Sequence, residues 1–159
     1  MKYLIVILTF FAIGFAEKSL AQDTIQKRQL SQLLANYYDI KDALVSDNAK
    51  AASIKANEFI KTANSIDYKI ISEGNINALL KDATAISVAT DIAKQRAYFS
   101  NLSKNMADLA GVVKFTSSPI YQAYCPMKKA NWLSNEKIIK NPYYGSSMLT
   151  CGTVVNTIQ

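Results

Sequence analysis

The chain has 159 residues, with 18 Lys plus Arg against 12 Asp plus Glu, a formal net charge of +6 and no histidine. Its hydrophobic content is 50%, 19% is charged, and only 5 Gly and 3 Pro interrupt it, which excludes a disordered tail, a collagen-like repeat and a Pro-rich linker. Without histidine there is no Ser-His-Asp or Cys-His nucleophile, no HExxH zinc site and no imidazole copper(II) site.

Lys2 supplies a short basic start, and Tyr3 to Ala16 is an apolar run broken only by Thr9 and Gly14. That run is shorter than the roughly 20 residues needed to span hydrocarbon. Ser19 and Ala21 are small side chains at the two positions a signal peptidase reads, so residues 1–21 are expected to be a cleaved signal peptide and the mature chain to start at Gln22. An alternative cut follows Ala16, and the competing reading is an uncleaved anchor. The expected product is periplasmic or secreted, with no stable membrane span after cleavage. Removing Lys2, Lys18 and Glu17 lowers the net charge of +6 by one unit. The remaining excess is scattered, with no block longer than Lys27-Arg28 or Lys128-Lys129. Nucleic-acid proteins concentrate such charge and interleave aromatics, so no nucleic-acid partner is expected.

Apolar positions Leu30, Leu33, Leu34, Tyr37, Ile40 and Leu44 recur at three and four, predicting a helix from about Asp23 to Val45. Ser46 or Asp47 offers an N-cap for a second helix with the stripe Ala49, Ala52, Ala56, Phe59, Ile60 and Ala63. The short gap between them implies an antiparallel hairpin. Ile66 to Gly74 lacks a period and reads as a connection. Ile76, Leu79, Leu80, Ala83, Ile86 and Ala89 give a third helix. Thr90 or Asp91 caps a fourth, carrying Ile92, Phe99, Leu102, Met106 and Leu109 and stopping at Gly111; one long helix fits the period of this pair nearly as well. The expected fold is therefore mainly α, a four-helix antiparallel bundle over residues 22–114. A short irregular or β-containing C-terminal segment, residues 115–159, packs on it. Within that segment Ile120–Tyr124 reads as a strand and Asn141-Pro142 as a turn.

The same segment holds both cysteines, in Cys125-Pro126-Met127 and Met148-Leu149-Thr150-Cys151. Two readings stand. Paired cysteines in an exported domain commonly form a disulfide, and a Cys125–Cys151 bridge stabilises by roughly 3.5 kcal/mol in the chain-entropy model. Methionines beside it then fill gaps in the core. In the other reading soft thiolate and thioether sulfur bind Cu(I), with Ag(I) as mimic, through Cys125, Met127, Met148 and Cys151; zinc is disfavoured because its remaining ligands have no imidazole to draw on. Elsewhere, Asp39 and Asp42 read as solvated carboxylates and Arg96 as the partner of a carboxylate across the bundle. Trp132 and the tyrosines read as half-buried packing in preference to a ligand-stacking surface.

Leu34 to Asp47 (LANYYDIKDALVSD), Asp91 to Ser103 (DIAKQRAYFSNLS), Tyr124-Cys125-Pro126-Met127, Trp132-Leu133-Ser134, Asn141-Pro142-Tyr143-Tyr144-Gly145 and Met148-Leu149-Thr150-Cys151-Gly152 resemble a family of exported bacterial domains, DUF3347. Such domains occur alone or attached to periplasmic adaptor subunits of heavy-metal efflux pumps, so the resemblance implies metal handling and an efflux adaptor or other envelope protein as partner. The family's Cys-Pro-Met and Met-Leu-x-Cys-Gly words fall on Cys125, Met127, Met148 and Cys151. Between Met127 and Trp132 many relatives carry a longer insert. No catalysis is expected, because general acid–base work lacks histidine and a CxxC redox motif is absent. The expectation is an exported Cu(I)/Ag(I)-binding protein linked to copper handling or efflux. The alternative is a non-catalytic envelope interaction module with a structural Cys125–Cys151 disulfide, presenting Tyr143-Tyr144 at its contact surface.

Overall fold

The computed structural model describes side chains from Asp23 to Gln159, so the expected signal peptide, residues 1–21, lies outside the described residues. The helices are α1 (Lys2–Val45), α2 (Ala49–Ala63), α3 (Glu73–Val88) and α4 (Ile92–Ala110). The strands are β1 (Ile120–Cys125), β2 (Ala130–Ser134) and β3 (Thr153–Ile158), with a 3-10 turn at Gly145–Met148. The fold is thus mainly α with a C-terminal β segment. Among the described residues no helix is long and apolar enough to cross a membrane.

Each helix packs on its successor, and the stripes read from the sequence are the faces that meet. Leu30, Leu33, Leu34, Tyr37, Ile40 and Leu44 of α1 are buried, as are Ala52, Ala56, Phe59 and Ala63 of α2. Alanine along α2 leaves little side-chain bulk between the two axes. The α1–α2 turn corrects one expectation. Asn48, not Ser46 or Asp47, caps α2, its side chain accepting from the Ala51 N–H at 2.9 Å. Asp47 instead takes the left-handed conformation the tight turn requires (φ 55°), which Asp tolerates better than most residues. Ser72 caps α3, so Gly74 lies within its first turn and the connection ends two residues earlier than expected. Asp91 caps α4 through the Ala93 N–H at 2.9 Å, and Ala89 is extended, so α3 and α4 are separate helices.

After α4 the chain forms an antiparallel sheet in the order β2-β1-β3. β1 pairs with β2 from Tyr121↔Ser134 to Cys125↔Ala130. It pairs with β3 from Ile120↔Ile158 to Tyr124↔Thr153, with a bulge at Gln122/Ala123. Only β1 was expected as a strand. The turn joining it to β2 uses Lys129 at φ 55° rather than a glycine, and β3 is almost wholly exposed, so neither β2 nor β3 carries a strong local signal. β2 lies on α4, and Tyr37 of α1 bonds both: its hydroxyl is 2.7 Å from Ser103 Oγ and accepts from the Leu133 N–H at 3.0 Å. A continuous buried cluster draws on all four helices, β1 and β2.

Candidate metal centre at the cysteine pair

Cys125 ends β1, and Cys151 stands two residues before the start of β3. Because Tyr124 pairs with Thr153, the sheet register carries the two cysteines together, and their sulfurs lie 3.8 Å apart as free thiols. Cys125 is buried and Cys151 half-buried. The Lys128 N–H donates to Cys125 Sγ at 3.4 Å. The Cys151 N–H donates to the Met148 carbonyl at 3.1 Å. Burial, and then the adjacent Cys125 thiol, push the Cys151 thiol above its ordinary range. Of the two methionines of the expected donor set, Met148 thus touches Cys151 through its backbone. Their side chains are more open, Met127 being 63% and Met148 37% exposed.

One wall of the site is dry. A Cβ on Gly152 would come within 2.7 Å of Trp132 Cη2 and 2.9 Å of the Tyr124 carbonyl, so the backbone beside Cys151 lies directly on the indole. Gly152 also sits at φ +146°, a conformation side chains rarely adopt. Trp132 is buried and meets Tyr143 edge-on at 6.0 Å, and Tyr143 in turn meets Phe99 of α4. The Tyr143 hydroxyl donates to the Asn131 carbonyl. Trp132 and Tyr143 are thus core residues rather than half-exposed ones, and Tyr143 is not available as the surface aromatic expected of it; Tyr144 is half-buried.

The loop that bears Cys151 is bolted to the bundle. Arg96, read from the sequence as a cross-bundle ion pair, donates to Asp47 Oδ1 at 2.6 Å, the Leu44 carbonyl at 2.8 Å and the Pro142 carbonyl at 2.9 Å. Asp47 Oδ2 accepts from the Ser146 N–H at 3.0 Å and its hydroxyl at 2.6 Å. Hydrogen bonds from Ser146 and Arg96 draw the Asp47 carboxyl down to about 2. Asp39 and Asp42, by contrast, pair with Lys55 and Lys41 at 3.4 and 2.9 Å.

Chemically, a metal–thiolate bond of about 2.3 Å places two sulfurs of a tetrahedral shell about 3.8 Å apart. The observed spacing fits two thiolates on one ion without movement of β1 or of the loop that bears Cys151. Among the described residues no group of three or more Cys, Asp and Glu side chains is placed to hold a metal, so any further ligand comes from methionine, backbone or water.

A model of a family described as a protein of unknown function, DUF3347, matches residues 33–118. The chain belongs to the DUF3347 family. The match runs through α1 from Leu33, α2, α3 and α4 and ends before β1, so all four sulfur residues lie beyond the matched residues. No curated protein and no solved structure matches the chain.

Three participants escaped the sequence reading. The sequence offers Asp47 as a cap, Gly152 only as the end of a family word, and Asn141 only as a turn residue within another such word. For Asn141 the Asn-Pro dipeptide is a signal of chain reversal but says nothing of burial. The role of Gly152 follows from where Trp132 lies, which local sequence does not encode.

Proposed function

We propose that this DUF3347 protein is exported and binds a soft monovalent metal, Cu(I) with Ag(I) as mimic, for copper handling or efflux, without catalytic turnover. The observation that carries the reading is the Cys125–Cys151 sulfur separation of 3.8 Å between residues 26 apart in sequence. Thiolates from these two residues dominate the affinity. Met127 and Met148, more exposed at the rim, supply or gate the remaining thioether positions, and their softness discriminates against calcium and zinc. The dry wall formed by Trp132 protects a bound Cu(I) thiolate from water on that side. The partners of this reading are the metal ion and a periplasmic efflux adaptor or other envelope protein. The apolar run Tyr3–Ala16 with Ser19 and Ala21 supports export.

The competing reading is an envelope interaction module in which Cys125–Cys151 is closed as a disulfide. The same proximity supports it, since the sulfurs need only close from 3.8 Å to a bonding distance of about 2.05 Å. A thiol count on protein purified without reductant, followed by anaerobic Cu(I) competition against a colorimetric chelator, separates the two. Reduced protein is expected to withdraw Cu(I), with affinity falling at least tenfold in Cys125→Ser and in the pair Met127→Leu with Met148→Leu. If reduced protein leaves the chelator loaded, the disulfide-stapled module takes its place.

A further inference from the structure

Asn141 is fully buried, and its backbone N–H, backbone carbonyl, Nδ2 and Oδ1 each make a hydrogen bond. Its N–H donates to the Leu149 carbonyl at 2.8 Å and its Nδ2 to the Cys151 carbonyl at 2.7 Å. Its Oδ1 accepts from the Tyr143 N–H at 2.8 Å, and its carbonyl from the Gly145 N–H at 3.0 Å. The two donated bonds grip the backbone two residues before Cys151 and at Cys151 itself. Burying a primary amide is costly unless its partners are fixed, and one of the two partners of this amide is the carbonyl of Cys151 itself. Pro142, the next residue, is held to α4 by Arg96 Nε at 2.9 Å, so the grip is anchored in the bundle and not in the loop. Cys125 needs no such device, because strand pairing on both sides already fixes β1.

We infer that Asn141 is the positioning residue of the cysteine pair: through its Nδ2–Cys151 carbonyl bond it holds the Cys151 thiol within reach of Cys125. The inference deepens the reading of that pair as the functional site. Outer groups that orient ligands in this way typically change site affinity by about 10–100-fold when removed.

The test uses the dithiol–disulfide equilibrium of the full chain in glutathione buffers, which reads how closely two sulfurs are held whether or not a metal ever binds. Each Cys125–Cys151 bond formed oxidises two thiols and reduces one glutathione disulfide to two glutathione thiols, the protons passing to the glutathione. Asn141→Ala and Asn141→Asp are each expected to lower the closing constant by about tenfold with unchanged far-UV circular dichroism. Both variants lose the donor to Cys151, and Asn141→Asp keeps the acceptor for Tyr143 while setting a carboxyl oxygen against the Cys151 carbonyl. A role confined to stabilising the turn would lower the urea midpoints of oxidised and reduced protein equally and leave the closing constant at the wild-type value. Folded variants within twofold of wild type overturn the inference. Should neither variant fold, the wild-type Asn141 side-chain amide is followed by NMR: slow exchange and a shift on closing the disulfide uphold the inference, and rapid exchange or an unmoved resonance overturns it. Wild type that refuses Cu(I) while Asn141→Asp still lowers the closing constant sinks the metal reading alone. An unaltered closing constant beside intact Cu(I) binding sinks the positioning role alone.

Discussion

Tyr37 is buried to its hydroxyl, where it meets Ser103 of α4 and accepts from the Leu133 N–H of β2. Burial holds the phenol well above its ordinary range, so it is a neutral bridge between three elements. Tyr37→Phe removes that oxygen and leaves a backbone donor buried without a partner. The expected loss is about 1–3 kcal/mol, read as a lower urea midpoint with an unchanged slope. Gln95 is the second polar residue of this kind. Its Nε2 has the Ala49, Ile86 and Ala89 carbonyls and Ser53 Oγ within 2.8–3.2 Å, while its Oε1 has no partner among the described residues. Gln95→Glu replaces the donor by a carboxylate facing acceptors. Its folded-state pKa must therefore rise above the unfolded value near 4.3. The folded state then binds more protons, so the variant loses stability as pH climbs past the unfolded pKa and recovers it on acidification. Urea midpoints at pH 4 and pH 8 check the sign. A variant that matched wild type at both would contradict the donor role.

At the scale of elements, the turn between α1 and α2, the N-terminal part of α4 and the 3-10 turn are held together by Asp47, Arg96 and Ser146. Gly145 lies between them at φ +54°, and a Cβ there would fall 2.3 Å from both Arg96 Nη2 and Asp47 Oδ1. Gly145→Ala combines a strained backbone with a steric conflict against an ion pair, and a loss of about 2–4 kcal/mol is expected by chemical denaturation. The depressed Asp47 carboxyl, at about 2, sets a pH signature. Its stabilising contribution is complete above the unfolded value near 3.9 and is lost as pH falls through the folded value. Asp47→Asn is expected to flatten the wild-type decline in urea midpoint between about pH 4 and pH 2. Because Asp47 is 39% exposed, high salt shrinks the difference.

For the whole molecule, the cysteine pair joins a strand in the sheet to a loop anchored on the bundle. Closing it ties off the intervening β1–β2 hairpin and 3-10 turn, and in the chain-entropy model raises stability by roughly 3.5 kcal/mol. Oxidised wild type is therefore expected to unfold at higher denaturant than reduced wild type, with no such difference in Cys151→Ser. Cu(I) added anaerobically to reduced protein is expected to raise its melting temperature in a concentration-dependent way, because a ligand that binds only the folded state stabilises by mass action.

How much of this was legible depends on the range over which each feature is encoded. The helical faces were, since Leu33, Tyr37, Ile40 and Leu44 repeat at a local period that any window of the chain reveals, and all are buried. The strand beginning at Ile120 and the cysteines as the chemically distinctive pair were legible from local composition, whereas the period left α3 and α4 readable as one helix and only the Asp91 cap and extended Ala89 separate them. Membership of DUF3347 also followed from the chain alone, and the matched residues are chiefly these helices. What tertiary structure alone decided is which distant residues meet. A β1–β3 register shifted by one residue would turn strand side chains to the opposite face and separate the sulfurs that now lie 3.8 Å apart. Asn141 reads as a turn residue until its amide is found on the Cys151 carbonyl, and Gly152 reads as an ordinary glycine until Trp132 is found beneath it. Periodicity reports which face of an element is buried. Contacts between elements depend on how those faces are brought together, which is fixed only when the chain closes its long loops.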